Sequence, residues 1–365
     1  LNLAAGKATV ARVYADVATD GTYRVYLSGQ RSGDDLPGSP LVVTDFLPAS
    51  VTRGNLDDTA NFDLPESWVA SGFTELSAEV EPLDRYADAT NRAAYNISAF
   101  FTTVDEPLIW TMPVNEGTSQ NPTLPNQGDI DRQEEEMLTL LPVPDATFVR
   151  YNWQEIGAQG NTNMGNALTT IKNWYFGKAL AWLLSGSGNR TYELPNIIYG
   201  HRANCDSTPR GCTIGLSDPV WGNGDGWVAV GHAGTSIDSN MAHEVNHNLD
   251  RSNSGTWGRH VSNPNTSDNT WGCGASGPDP NWPRMNDDIG EIGFDTRQPW
   301  TGSRGGRTTV VPDNQNEFMS YCANNQEPDK WISEYRWTNL FGYAYESRRP
   351  SSLVRAGRAQ TTDTL

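Results

Sequence analysis

Hydrophobic and polar positions along this chain follow two regimes. Over residues 1–105, apolar and polar residues alternate with a period of two. The runs are ATVARVYADV, TYRVYLSG, PLVVTDFL, SWVASGFTELSAEVEP and YNISAFFTTV, separated by the turn clusters DGT, SGDDLPGSP and RGNLDD. Alternation of this kind places every second side chain on one face of a strand, and Gly, Pro and Asp end each run. The pattern predicts an all-β sandwich of immunoglobulin-like type over residues 1–105. This stretch has no His and no Cys, and its scattered carboxylates read as solvated turns. It is expected to be a structural module.

From residue 106 onward, strand-like and helix-like segments alternate, which predicts an α+β domain over residues 106–345. EPLIWTMPVN reads as a buried strand and DIDRQEEEMLTLLPV as a short amphipathic helix, with Glu134-Glu135-Glu136 as its solvated first turn. TFVRYNW, ELPNIIYGH and GWVAVGHAG (226–234) read as strands, the last at a sheet edge. Leu168, Ile171, Tyr175 and Trp182 share one face of a helix spanning about residues 166–184. Another helix is predicted over Thr235–Asp250, with Thr235, Ser236 or Asp238 as its cap. Residues 346–365 are polar and read as a tail or linker.

The chain has 365 residues and a formal net charge of −18. That charge argues against nucleic acid and anionic membrane surfaces as partners. No apolar run approaches the roughly 20 residues needed to span a bilayer. The opening LNLAAGKATVARVYAD lacks the basic start and apolar block of a signal peptide, so a secreted form would already have lost its leader. The four cysteines do not form paired C-x-x-C knuckles. Cys205 and Cys212 flank CDSTPRGC, which suits the closing of a hairpin. Disulfides Cys205–Cys212 and Cys273–Cys322 are expected, although four cysteines allow three connectivities. Disulfides imply an oxidising, extracellular or cell-surface location.

The candidate chemistry lies in His243-Glu244-Val245-Asn246-His247, where two of the chain's five His fall in an H-E-x-x-H pattern. Residues i and i+4 of a helix share a face, so both imidazoles can reach one ion. Glu244, beside them, is placed to take a proton from a metal-activated water. A catalytic zinc usually takes a third protein ligand. His260 is the remaining nearby His, and Asp250 and Glu291 are competing candidates.

Downstream stands Glu317-Phe318-Met319-Ser320-Tyr321-Cys322. With the H-E-x-x-H helix, this segment resembles the metzincin clan of zinc endopeptidases, in which a Met-containing turn lies beneath the metal. The flanking pattern resembles secreted bacterial members with an N-terminal β-sandwich. Their third His is followed by a segment like Asp279-Pro280-Asn281, and their turn leads to one like Trp331-Ile332-Ser333. The resemblance covers residues 106–345 loosely. It implies a metzincin-like α+β catalytic domain, with Met319 as an apolar floor under the imidazoles and Tyr321 as a donor to the tetrahedral oxyanion.

The chain departs from the clan after His247, where the clan places Gly and then His. Here Asp250 and Asn253 stand at those positions. Asp tolerates the left-handed conformation better than most residues, and Asn is a poor zinc ligand. Residues 251–257 therefore read as an insertion that carries the third ligand to His260. Glu291 lies in GEIGFD, which resembles the E-x-x-x-D of the gluzincins, but this Gly-rich, β-forming segment reads as a strand.

His201 and His232 read as ordinary hydrogen-bonded histidines, His232 just before the active helix. The loop 222–226 and Asp287-Asp288 offer oxygens for calcium, without a full calcium-loop spacing. Sequons occur at Asn96, Asn189 and Asn265. The expected function is a secreted zinc endopeptidase acting on protein or peptide substrates, with Glu244 as general base. Strand 226–234 is expected to align an extended substrate. The competing expectation is an extracellular structural or adhesive surface protein with a weakly active or inactive protease-like domain. A zinc hydrolase acting on a non-peptide bond also fits H-E-x-x-H alone.

Overall fold

The structure is a computed structural model. It describes the chain apart from residues 1, 84–93, 158–159, 186–192, 209–210, 214, 218–226, 235–237, 250–259, 262–278, 280, 285, 298–299, 301–302, 305–306, 321–329 and 342–365. The chain forms two compact units. The first comprises Leu1–Val104, Pro142–Pro144 and Asp288–Gln315, and the second comprises Asp105–Leu141, Asp145–Asp287 and Asn316–Leu365.

The first unit opens with β1 (Asn2–Ala4), β2 (Val10–Val13), β3 (Gly21–Arg31) and β4 (Asp34–Asp35). β5 (Leu41–Leu47), β6 (Ala60–Asp63), β7 (Gly72–Pro82) and β8 (Ala94–Thr102) follow. Six strands form one sheet in the order β1-β8-β7-β3-β4, with β5 also on β3. The sheet is antiparallel apart from the β1–β8 pair. β2 and β6 form a separate antiparallel ladder.

Alternation in the sequence becomes one shared core. Val25 and Leu27 of β3, Leu76 of β7, Phe101 of β8 and Phe62 of β6 are all buried in it. Trp68 is fully buried among them, its Nε1 donating to Pro37 O at 2.9 Å. Its ring lies over Gly29, where a Cβ would stand 2.7 Å away.

The second unit begins with β9 (Leu108–Pro113) and α1 (Gln127–Leu140), capped by Asn126, whose side chain accepts from Gly128 N. β10 (Thr147–Arg150), α2 (Trp153–Ile156) and α3 (Met164–Leu184) follow. The predicted face of α3 is the packed one, since Leu168, Ile171, Tyr175 and Trp182 are buried. Next come β11 (Ile197–Arg202), β12 (Asp206–Thr208), β13 (Gly211–Thr213), β14 (Gly215–Ser217), β15 (Val228–His232) and α4 (Asn240–Leu249). The main sheet has five strands in the order β10-β9-β11-β15-β14. Its first four strands are parallel, and β14 runs antiparallel to β15.

Two expectations change here. β15 is not an edge strand, because β11 pairs with one side of it and β14 with the other. The short β14 is the edge among the described residues. Glu134 and Glu136 are not in a solvated first turn. They lie in the body of α1 and are buried, and Asp129 is the acid in its first turn. Glu134 accepts from Thr111 Oγ1 and pairs with Arg150 across the sheet, which offsets its burial.

The chain then returns to the first unit as β16 (Gly293–Phe294), β17 (Ser303–Arg304), β18 (Arg307–Thr308) and β19 (Val310–Val311). Within GEIGFD only Gly293–Phe294 is strand, β16, paired with β19. The Arg12 guanidinium lies over the Phe294 ring at 5.4 Å, and Lys7 Nζ donates to Val143 O at 3.2 Å. These contacts show why segments 142–144 and 288–315, read from sequence as part of the second domain, join the first unit. β20 (Asn316–Glu317), β21 (Lys330–Trp331) and α5 (Glu334–Asn339) complete the second unit.

Replacing Trp68 with alanine leaves a large cavity between sheet and ladder. The expected cost is about 3–5 kcal/mol in guanidinium unfolding. A loss under about 1 kcal/mol would show that this core is not close-packed.

Candidate metal centre

α4 carries His243 and His247 one turn apart, with Ser239 O accepting from His243 N at 2.9 Å in its first turn. Of the expected caps, Asp238 pairs instead with Arg132, at 3.2 Å, and Thr235 and Ser236 lie outside the described residues. His260 comes from beyond the helix. Its Nε2 lies 3.1 Å from His243 Nε2 and 3.2 Å from His247 Nε2. Among the described residues, these three form the one group arranged to hold a metal. Glu291 belongs to the first unit with β16, and Asp250 and Asn253 lie outside the described residues.

The turn 317–320 places two of these ligands. His243 Nδ1 is 2.9 Å from Phe318 O, a carbonyl that can only accept, so Nδ1 carries the proton and Nε2 presents its lone pair. Val261 N donates to Met319 O at 3.2 Å and so fixes the residue next to His260. Asp279 N donates to His260 O at 3.0 Å, and the Asp279 carboxylate accepts from Asn281 N and from Tyr335 Oη on α5. Asp279 thus braces the third His. Met319 and Phe318 are fully buried. Asp287 accepts from Ser320 Oγ, and its backbone carbonyl accepts from Glu317 N, so it serves the turn.

Burial sets the charge of the group. It holds His243 well below the usual imidazole range, with further lowering by the neighbouring His247 and His260. His260 is lowered to about 3, again by burial first and then by the charges of His247, Arg336 and Lys330. His243 and His260 are therefore neutral, and the lone pair of His243 Nε2 faces His260 Nε2. A tetrahedral zinc with bonds of about 2.0–2.1 Å separates its ligand atoms by about 3.3 Å. The two spacings to His260 Nε2, 3.1 and 3.2 Å, fit that ion, and the all-nitrogen donor set suits zinc rather than calcium.

Glu244, next to His243 on α4, is buried, and desolvation raises its carboxyl to about 8 against the opposing effects of Ser217 and Lys330. It reaches this place because β14 carries Gly215. A Cβ there would stand 2.1 Å from Glu244 Oε1. Neither Gly215 nor Ser217 was identified from sequence, since nothing local marks a glycine as facing a carboxylate from a distant helix.

His201 is fully buried on β11, its Nδ1 3.1 Å from Gln133 Oε1 and its ring 4.8 Å from that of Tyr199. His232 ends β15, and its carbonyl accepts from Gln133 and Asn240. Both lie outside the metal group, as expected. Cys205 is disulfide-bonded, while the side chain of Cys212 and all of Cys273 and Cys322 lie outside the described residues. The same holds for Tyr321, the loop 222–226, Asn189 and Asn265, and the tail 346–365. Asn96 is exposed on β8. No described helix is long and apolar enough to cross a membrane.

No protein-family model matches the chain, and no curated protein matches it. Among solved structures, one match is to a Bacillus anthracis protein described as a polysaccharide deacetylase. Identity is 9% and the TM-score 0.14, over 57% of this chain and 63% of that one. The chain thus spans less than two thirds of that protein's length. A score this low carries no common fold and no functional argument.

The state of His201 has a consequence for stability. Burial and the charge of Arg150 lower its folded pKa to about 3. Below about pH 6.5 the unfolded chain takes up a proton that the folded chain refuses, so stability falls with pH until about 3. Each pH unit in that window costs about 1.4 kcal/mol from this group. Urea unfolding of the His201→Leu variant between pH 7 and pH 5 should show a shallower acid loss than wild type. Equal slopes would contradict a neutral buried His201.

Proposed function

We propose that the chain is a zinc-dependent endopeptidase of metzincin type. The observation that supports this most strongly is the convergence of His243 and His247 Nε2 within 3.2 Å of His260 Nε2, with Glu244 buried next to His243 on α4. His243, His247 and His260 would hold the ion. Bound zinc supplies a Lewis acid that polarises the scissile carbonyl and lowers the pKa of water.

The chain's own residues do the rest. Glu244 Oε1, pressed against β14, holds the proton removed from the attacking water and passes it to the leaving amine. The side of β14 that no described strand pairs takes an extended peptide by strand addition, so the substrate main chain is aligned near Glu244. This role moves from segment 226–234 to 215–217. Met319 forms the apolar floor, and Tyr321 donates to the developing oxyanion. The disulfide at Cys205 accords with action outside the cell, on protein or peptide substrates.

The Glu244→Gln variant tests the assignment. It keeps the shape of the side chain and all three His. Its zinc content should match wild type while casein cleavage falls by about 10²–10⁴-fold. Cleavage at the wild-type rate would exclude Glu244 as the base. Wild-type zinc content with intact casein in the wild type itself, together with turnover of small esters or amides, would favour a hydrolase of non-peptide bonds.

A further inference from the structure

At the turn that contacts His243 and Val261, the structure buries an ion pair that the chemistry proposed for the site does not use. Glu317 and Arg336 are both fully buried, with Arg336 Nε 3.6 Å from Glu317 Oε1. Neither belongs to the H-E-x-x-H helix. Glu317 ends β20, which pairs in parallel with β21, and Arg336 lies on α5. Ser333 caps α5, its hydroxyl accepting from Arg336 N at 3.1 Å, so the helix start and the arginine are fixed together.

The other Glu317 oxygen, Oε2, accepts from Met319 N at 2.8 Å. Ser320 N donates to Glu317 O at 2.8 Å, which closes the turn, and Phe318 N donates to Trp331 O at 2.8 Å. The carboxylate therefore spans the turn from inside, one oxygen on its amide and the other toward the guanidinium. The two carbonyls that this turn exposes act on the ligands. Phe318 O fixes the tautomer and tilt of His243, and Met319 O holds Val261 next to His260. One four-residue turn thus sets the directions of two of the three lone pairs.

We propose that Glu317, held by Arg336, is a positioning residue for the metal: it fixes the 317–320 turn so that Phe318 O and Met319 O aim His243 and His260 at one point. The inference rests on the metal site described above. A carboxylate buried only for packing is costly beside an apolar pair of similar volume, and such pairs are often replaceable without loss of stability. Outer groups that orient ligands have a different signature. Their removal costs metal affinity even where the fold is intact.

The test compares two paired substitutions, so that neither leaves an unpaired charge in the core. Glu317→Leu with Arg336→Met removes both the charges and the acceptor for Met319 N. Glu317→Gln with Arg336→Met removes the charges and keeps an acceptor of the same reach. Zinc affinity is measured on the full chain by competition with a chelating dye, and folding by circular dichroism without metal. The leucine pair should weaken zinc about 10- to 100-fold, and the glutamine pair should recover most of that loss. Affinity within about threefold of wild type in the leucine pair, or no recovery in the glutamine pair, would overturn the proposal. If the leucine pair does not fold, Glu317→Met with Arg336→Met takes its place under the same criteria. Wild type that binds no zinc would strike the metal site itself, whereas tight zinc in wild type and variants alike would strike only Glu317.

Discussion

His260 Nε2 lies 3.1 and 3.2 Å from the Nε2 atoms of His243 and His247, and burial holds His243 and His260 neutral, so these nitrogens cannot all be donors. Neutral lone pairs pointed at one another are a strained arrangement unless a cation sits between them. The second unit is built around that constraint. α4 supplies two ligands by helical spacing, but a helix cannot supply the third direction. That comes from a chain crossing at 260–261, held to the turn 317–320 by Met319 O and to Asp279 by His260 O. The turn is itself held by Glu317, Ser320 and the parallel β20–β21 pair. Each connection is a backbone or buried polar bond, which locks direction better than apolar contact does.

The sheet contributes a second constraint. Glu244 can lie beside the imidazoles only where the neighbouring strand has no side chain, and Gly215 on β14 meets that need. β14 is short and lies at the edge among the described strands, so the carboxylate sits against a strand that no described strand pairs on its far side. In the proposed mechanism, this one glycine would join the general base to a strand that can pair with an extended chain.

Much of this was legible in the sequence, for identifiable reasons. Period-two alternation in TYRVYLSG and the stripe at Leu168, Ile171, Tyr175 and Trp182 report burial directly, and β3 and α3 follow them. The i, i+4 spacing of His243 and His247 is a local property of a helix. His260 was reachable by scarcity, since five His leave few candidates. What escaped depends on long-range pairing. Glu134 looks solvated until Thr111 and Arg150 arrive from β9 and β10. Segment 226–234 looks like an edge until β14 pairs with it, and three residues are too few to show a period. Segment 288–315 reads as part of the second domain because its packing against residues such as Arg12 is distant in sequence. Glu317 and Arg336 are nineteen positions apart, and no pattern in either segment announces their pairing.

The most direct measurement is zinc content by mass spectrometry on wild type and on His260→Ala, with casein cleavage followed in the same preparations. The account predicts about one zinc per wild-type chain, and loss of both metal and cleavage in the variant. Zinc and cleavage retained at wild-type levels without His260 would contradict the three-histidine centre.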